Sequence, residues 1–414
     1  MQFAILISVL VALLLGAFLL LTHVHSFFRI KSKELVQAFE QSNTRIFESL
    51  NNGVVTGDTI VTVQNLGTIK EMSGYHGAWL KQYTEIGVHD RKVARVVFTG
   101  VKISETTPNL YLEETNSPLV VVGNTRLEGN SYLPKQGIKA GNISGNYYQG
   151  SALHYGRVLK SKTILPELEP DWITYLEGLA QGVLIDKGES MALKKELKNS
   201  FHDPVHVIYN ADPIFLEDEK ITGNIVIQSR TKIVVGSQTQ LMDVVLIAPE
   251  IIIKNGVNGS FQGIATKKIK VGKRCHLSYP SAMILLDQKV VYSNSQNNQL
   301  QNDKPDFMIE EGTMIEGVIV YLNKNKDKKA KRRLKTNLEI APNVEIVGET
   351  YCQGNIDFQG KVLGSLYARQ YIARQSGSVY LNHIYNGKIL INPVVDYAGL
   401  PFVNSKNTIA KWLY

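Results

Sequence analysis

The spacing of three aliphatic clusters limits the fold of this chain more than any other feature. Ile233-Val234-Val235, Ile251-Ile252-Ile253 and Ile269-Lys270-Val271 stand eighteen residues apart, each followed within three residues by Gly. A second series, Ile225-Val226, Val244-Val245 and Ile264, recurs at about nineteen residues. Strands of three or four residues are too short for a free sheet. A fixed period near twenty instead marks units that stack and share one core. The pattern predicts a mainly β chain built on a β-helix (solenoid), with two short strands per repeat. Ile and Val would point inward as columns, and Gly or Asn-Gly would take the corners.

The same grammar runs through Phe307–Leu322 and Leu338–Leu390. Residues 204–392 are therefore read as the main solenoid, with polar loops at 293–306 and 323–336. The Gly-punctuated stretch 118–162 is read as its beginning. Residues 163–203 interrupt it as a small helical insertion. Pro170-Asp171 opens one helix ending at Gly182, and "ESMALKKELKNS" (Glu189–Ser200) is a second helical candidate. Residues 54–117 form a β-rich region in which Trp79–Val88 and Lys92–Val101 make a hairpin. The final stretch, 393–414, carries two prolines and ends in aromatics, and is expected to cap the last rung.

"GNIDFQGKVLGSLYARQYIARQSGSVYLNHIYNGKI", from Gly354 to Ile389, resembles the rungs of bactofilins, which are polymer-forming β-helical cytoskeletal proteins. Their rungs have similar lengths and Gly-Asn or Gly-Ser turns between aliphatic pairs. The resemblance covers 221–390 with interruptions. It implies a solenoid and a scaffold role.

The amino-terminal stretch has a different period. Phe3–Leu21 is nineteen residues without a charge, about 28 Å as a helix, which matches the hydrocarbon core of a bilayer. Its exit, Leu-Thr-His-Val-His, lacks the small residues of a signal-peptidase site, so a retained inner-membrane anchor is expected. Beyond it, Leu35, Phe39, Ile46 and Leu50, with Val36 and Phe47 beside them, fit one helical face, and Asn51-Asn52-Gly53 gives a stop. Residues 1–53 are thus read as a transmembrane anchor continued by an amphipathic stalk. This layout resembles the long first helix of type IV pilins and pseudopilins. That resemblance implies an extracytoplasmic body in an envelope machine. An ordinary signal anchor with a short stalk is the alternative. Arg29, Lys31 and Lys33 follow the span, and the positive-inside rule favours a cytoplasmic body.

Chemistry-bearing patterns are sparse. Gly-x-Ser-x-Gly, Gly-x-Gly-x-x-Gly and P-loop motifs are absent. His202 and His206 have zinc-ligand spacing, but Pro204 breaks the helix that spacing requires. Glu217-Asp218-Glu219 lacks the register of a calcium loop. Asp243, Asp287, Asp303 and Asp306 keep no rung-length spacing, although a site built from distant rungs would leave no such trace. Cys275 and Cys352 are too few for a disulfide framework and fit as buried small side chains. No cofactor, metal or catalysis is expected.

The sharpest local feature is basic. Lys324, Lys326, Lys328, Lys329, Lys331, Arg332, Arg333 and Lys335 face Asp327 alone, so this stretch carries +7 of the chain's +8. It is a candidate grip for an anionic polymer, or a solvated loop that keeps a near-neutral body soluble. Its lack of aromatics argues against nucleic-acid recognition. The readings carried forward are a membrane-anchored structural or assembly protein, as homo-oligomer or complex subunit, a cytoplasmic membrane scaffold, and a surface carbohydrate-binding or carbohydrate-cleaving protein.

Overall fold

Two hydrophobic periods in one chain give two kinds of structure. The computed structural model describes residues 2–52, 57–64, 67–88, 91–104, 106–182, 188–288, 305–323, 335–375, 377–391 and 397–414. The chain is mainly β, with one long helix, α1 (Gln2–Asn52), and one short helix, α2 (Pro170–Ala180). Two compact units divide it, Met1–Gly74 with Gln82–Val96, and Tyr75–Lys81 with Val97–Tyr414.

In the first unit, α1 is long and apolar enough to cross a membrane, and none of its most hydrophobic window is buried. It is a candidate membrane anchor or signal sequence. Its second half packs through Ala38, Ser42, Ile46 and Leu50, a strict four-residue step along one face. Ala38 meets Ile69, Ile86 and Val88 of the neighbouring strands. The expected face is therefore half right. Ile46 and Leu50 are buried, but Val36, Phe39 and Phe47 lie exposed, and Phe39 stacks under the Arg95 guanidinium at 4.5 Å. Small residues, Ala38 and Ser42, take the first two buried positions, where a short side chain allows close approach of the helix backbone. Strand Gly57–Gln64 pairs antiparallel with Gly67–His76.

The second unit is built from three parallel ladders. The first runs in register through Ile208, Ile227, Leu246, Gly263, Met283, Ile319, Thr350 and Leu366. The second runs through Leu197, Ile221, Leu241, Gly259, Leu277, Ile315, Ile346, Val362 and Ile389. The third runs through Ile214, Ile233, Ile251, Ile269, Phe307, Leu338, Ile356 and Tyr371. The aliphatic members of these rows share one hydrophobic core. Each buried Ile or Leu contributes roughly 1.5–3 kcal/mol.

Several expectations need correcting. Three parallel ladders stand among the described residues where two strands per repeat are expected. The series Ile233, Ile251, Ile269 is in register, but Ile264 stands beside Ile247 and Val245 beside Gln262, because the register shifts between Met242 and Val244. Glu189–Ser200 is not helical. It forms strands Glu189–Ser190 and Glu196–Asn199, which join the first and second ladders. The largest correction concerns order. Residues 110–160 do not precede the ladders. Leu110–Leu112 pairs with Leu366–Ala368, Arg126–Leu127 with Lys388–Ile389, and Tyr155–Lys160 with Glu128–Leu133. The earliest of these strands in sequence therefore pair with the latest.

Corners between the second and first ladders use a glycine column. Gly317, Gly348 and Gly364 stack in register with φ of 140°, 138° and 141°. A Cβ on Gly348 would overlap the Gly317 carbonyl oxygen, and one on Gly364 that of Gly348. Within the "GVNGSFQG" stretch only Gly256 sits in a turn, while Gly259 and Gly263 lie inside strand Asn258–Val271.

The first ladder is buried on both faces, so its strands read as unbroken apolar runs such as Ala282-Met283-Ile284-Leu285-Leu286. Outside it lies α2, whose Trp172, Leu176 and Leu179 are buried. Trp172 Nε1 donates to the Ala78 carbonyl at 3.1 Å, and Trp79 Nε1 to that of Pro280 at 2.9 Å. The carboxy-terminal stretch lies on the flank too. Tyr397 Oη donates to Gly317 O at 2.7 Å, Lys411 pairs with Asp243 at 2.6 Å, and Phe201 N donates to Tyr414 O at 2.8 Å. The described part of 393–414 thus lies against strands Gln240–Ile253 and Met314–Asn323. At the end beyond residue 390, Gly156–Lys160 remain exposed.

Candidate functional site

Lys324, Lys326, Lys328, Lys329, Lys331, Arg332 and Arg333 lie outside the described residues. Lys335 is described, and its ammonium pairs with the nearly buried Asp306 carboxylate at 2.9 Å. Its charge is used within the fold. Asp243 pairs with Lys411, Asp287 accepts from Tyr321 Oη at 2.7 Å, and Asp303 lies outside the described residues. His202 and His206 are not joined at a metal site. His206 Nε2 faces Glu189 at 3.5 Å. Glu219 accepts hydrogen bonds from Glu217 N and Asp218 N, which closes that acidic loop on itself. Among the described residues no group of three His, Cys, Asp or Glu side chains is placed to hold a metal. Cys275 and Cys352 are free and buried, and burial pushes the Cys352 thiol up to about 12.

Two sites that sequence reading missed lie where the outer straps cross the first ladder. The ladder's outer surface there is an aromatic column. Tyr351, Tyr367 and Tyr111 stand in register, with ring centroids 5.9 and 6.4 Å apart. The phenols fasten the strap that runs into α2. Tyr111 Oη donates to Ile164 O at 3.2 Å and Tyr351 Oη to Pro166 O at 3.0 Å. Phe402 of the carboxy-terminal strap packs on Tyr367 at 4.9 Å.

The first site is a cleft of about 650 Å³ on this column. Its polar lining is Glu113, Glu167, Glu177, Asn323, Gln353 and Arg369, with the hydroxyls of Thr174 and Tyr351, set among aliphatic residues of the strap and α2. Arg369 Nη2 donates to Asn355 Oδ1 at 3.0 Å, and Asn355 N donates to Asn337 Oδ1 at 2.8 Å. Asn337 Nδ2 in turn donates to Tyr321 Oη at 2.8 Å. The cleft wall is therefore tied into a buried polar network.

The second site is a pocket of about 540 Å³ with Glu349 and Tyr367 at its floor and Lys102 and Lys406 among its lining residues. Glu349 is buried, and its Oε2 accepts from Leu400 N at 2.5 Å. Burial pushes the Glu349 carboxyl up to about 7, with Leu400 N–H acting the other way. The Tyr397 and Tyr367 hydroxyls are raised by burial first and by Glu349 second. Neither site brings together a nucleophile, a base and an oxyanion donor.

No protein-family model, no curated protein and no solved structure matches this chain.

Proposed function

We propose that the three ladders are the sides of a β-solenoid that α1 holds at the inner membrane, and that the protein is a non-catalytic structural or assembly component of a cell-envelope machine. The observation that carries this reading is the unbroken strand-to-strand pairing of the first ladder from Glu189–Ser190 to Tyr155–Lys160, eleven inter-strand steps. Such a stack is a stiff spacer. Its stability comes from neighbour-on-neighbour burial along its whole length, so it presents side chains at fixed intervals. The long apolar helix supports a membrane attachment, and the pilin-like layout favours a body outside the cytoplasm. A second reading, a cytoplasmic membrane scaffold with a bactofilin-like body, is favoured by Arg29, Lys31 and Lys33 after the apolar run.

Two measurements test this. Spin labels at Ser190→Cys and Val158→Cys should lie about 50 Å apart, from a strand spacing of about 4.8 Å. A short distance would show instead that these strands close side by side into a barrel. A phosphatase that is active only outside the cytoplasm, fused after Tyr414, should be active in cells. Inactivity with full expression would leave the scaffold reading standing in its place.

A further inference from the structure

The cleft at the strap crossing has a lining that selects among ligand classes. Besides the Thr174 and Tyr351 hydroxyls, its polar groups are planar: two amides (Asn323, Gln353), one guanidinium (Arg369) and three carboxylates (Glu113, Glu167, Glu177). Three carboxylates against one guanidinium disfavour a phosphate, a nucleic acid or an acidic polymer. A hydrocarbon would leave the amides and the guanidinium desolvated without partners. A metal ion finds no cluster of three ligands among the described residues. Vicinal hydroxyls suit the lining, because a planar amide, carboxylate or guanidinium can engage two neighbouring hydroxyls at once. Ile164, Leu165 and Ile173 add an apolar surface for the C–H face of a sugar ring.

The wall is also pre-set. Arg369 is held by Asn355 at 3.0 Å, Gln353 Oε1 accepts from Asn323 N at 3.3 Å, and Tyr351 is pinned to Pro166 O at 3.0 Å. Leu168 bridges to Phe402 in the neighbouring strap, and Val403 N donates to Glu167 O at 3.1 Å, fixing the opposite rim. Groups already oriented lose little freedom on binding. The volume, about 650 Å³, falls within the range of small-molecule sites.

We infer that this cleft binds a neutral or amino-sugar oligosaccharide, without cleaving it. The inference does not depend on the anchor or on the scaffold role, since it uses only residues of the second unit.

The test uses the full chain in lipid nanodiscs and three hexasaccharides titrated by calorimetry: an N-acetylglucosamine hexamer, a glucosamine hexamer and a galacturonate hexamer. The first two should bind saturably and the third should not. Gln353→Ala should weaken both by about tenfold, the loss of one bidentate contact. Glu177→Gln should weaken the glucosamine hexamer more than the neutral one. Thr174→Ala, on the exposed side of α2, is a second variant on the cleft rim that leaves the core intact, and it should weaken both by a smaller factor. Circular dichroism confirms that each variant is folded. Binding of none of the three sugars, strongest binding of the galacturonate, or parental affinity in folded Gln353→Ala and Glu177→Gln would overturn the assignment.

Discussion

Glu349→Gln isolates one buried proton. The Glu349 carboxyl is buried beneath the carboxy-terminal strap, where Gly399 packs on it and Leu400 N donates to it at 2.5 Å. The charged and titratable groups around it are Tyr279, Tyr367 and Tyr397, whose hydroxyls its charge would raise further, and Lys102 and Lys406 in the same pocket. Burial lifts its pKa from 4.5 to about 7. A raised carboxyl pKa means that the folded state holds the proton more tightly than the unfolded chain. The associated stability is complete below pH 4.5 and is lost as pH rises through about 7. At about 1.36 kcal/mol per pH unit, the interval between those values corresponds to about 3 kcal/mol. Glutamine keeps an acceptor for Leu400 N–H and cannot titrate. Urea unfolding of both proteins between pH 4 and 8 is the assay. The parent should lose about 3 kcal/mol relative to Glu349→Gln across that range. Asp357, raised to about 6 mainly by burial, adds a slope of the same sign to both proteins and cancels in the difference. Parallel pH profiles for the two proteins would refute the reasoning.

Three further substitutions probe other parts of the same unit. Gly348→Ala places a Cβ onto the Gly317 carbonyl and the Tyr397 hydroxyl at a φ of 138°, so it should cost about 3 kcal/mol or more, read as a lowered Tm. Tyr371→Phe removes a hydroxyl buried in the core without a hydrogen-bond partner and should raise stability by about 1 kcal/mol in urea unfolding. Lys411→Met strands the Asp243 carboxylate, whose side chain is 1% exposed, and should cost about 3 kcal/mol, largely restored by Lys411→Arg.

The sequence carries the local grammar of this fold better than its long-range order. Ile233, Ile251 and Ile269 are legible because they form a buried row of a parallel ladder, and their register matches their eighteen-residue spacing. The first ladder hides its period. It is covered on both faces, so no polar residues alternate within it to mark which side faces inward. The placement of residues 110–160 is illegible for a related reason. A parallel strand bearing Leu or Val fits above or below any other such strand, and the pairing of Leu110 with Leu366 spans most of the chain. At Glu189–Ser200, good helix formers are overridden because backbone groups there pair with strands His206–Asn210 and Lys220–Gly223. The cleft gave no signal. Glu113, Glu177, Asn323 and Arg369 are ordinary surface residue types, scattered along the sequence and assembled only when the straps cross the ladder.

The inverted placement of residues 110–160 bears on how the chain is made. These strands leave the ribosome well before the strands they pair with, Lys361–Gln375 and Lys388–Leu390, have been synthesised. The nascent polypeptide cannot complete this body in the order of translation. About fifty residues must wait, unpaired, until residues 361–390 have been made, and a product truncated before residue 360 leaves them without these partner strands.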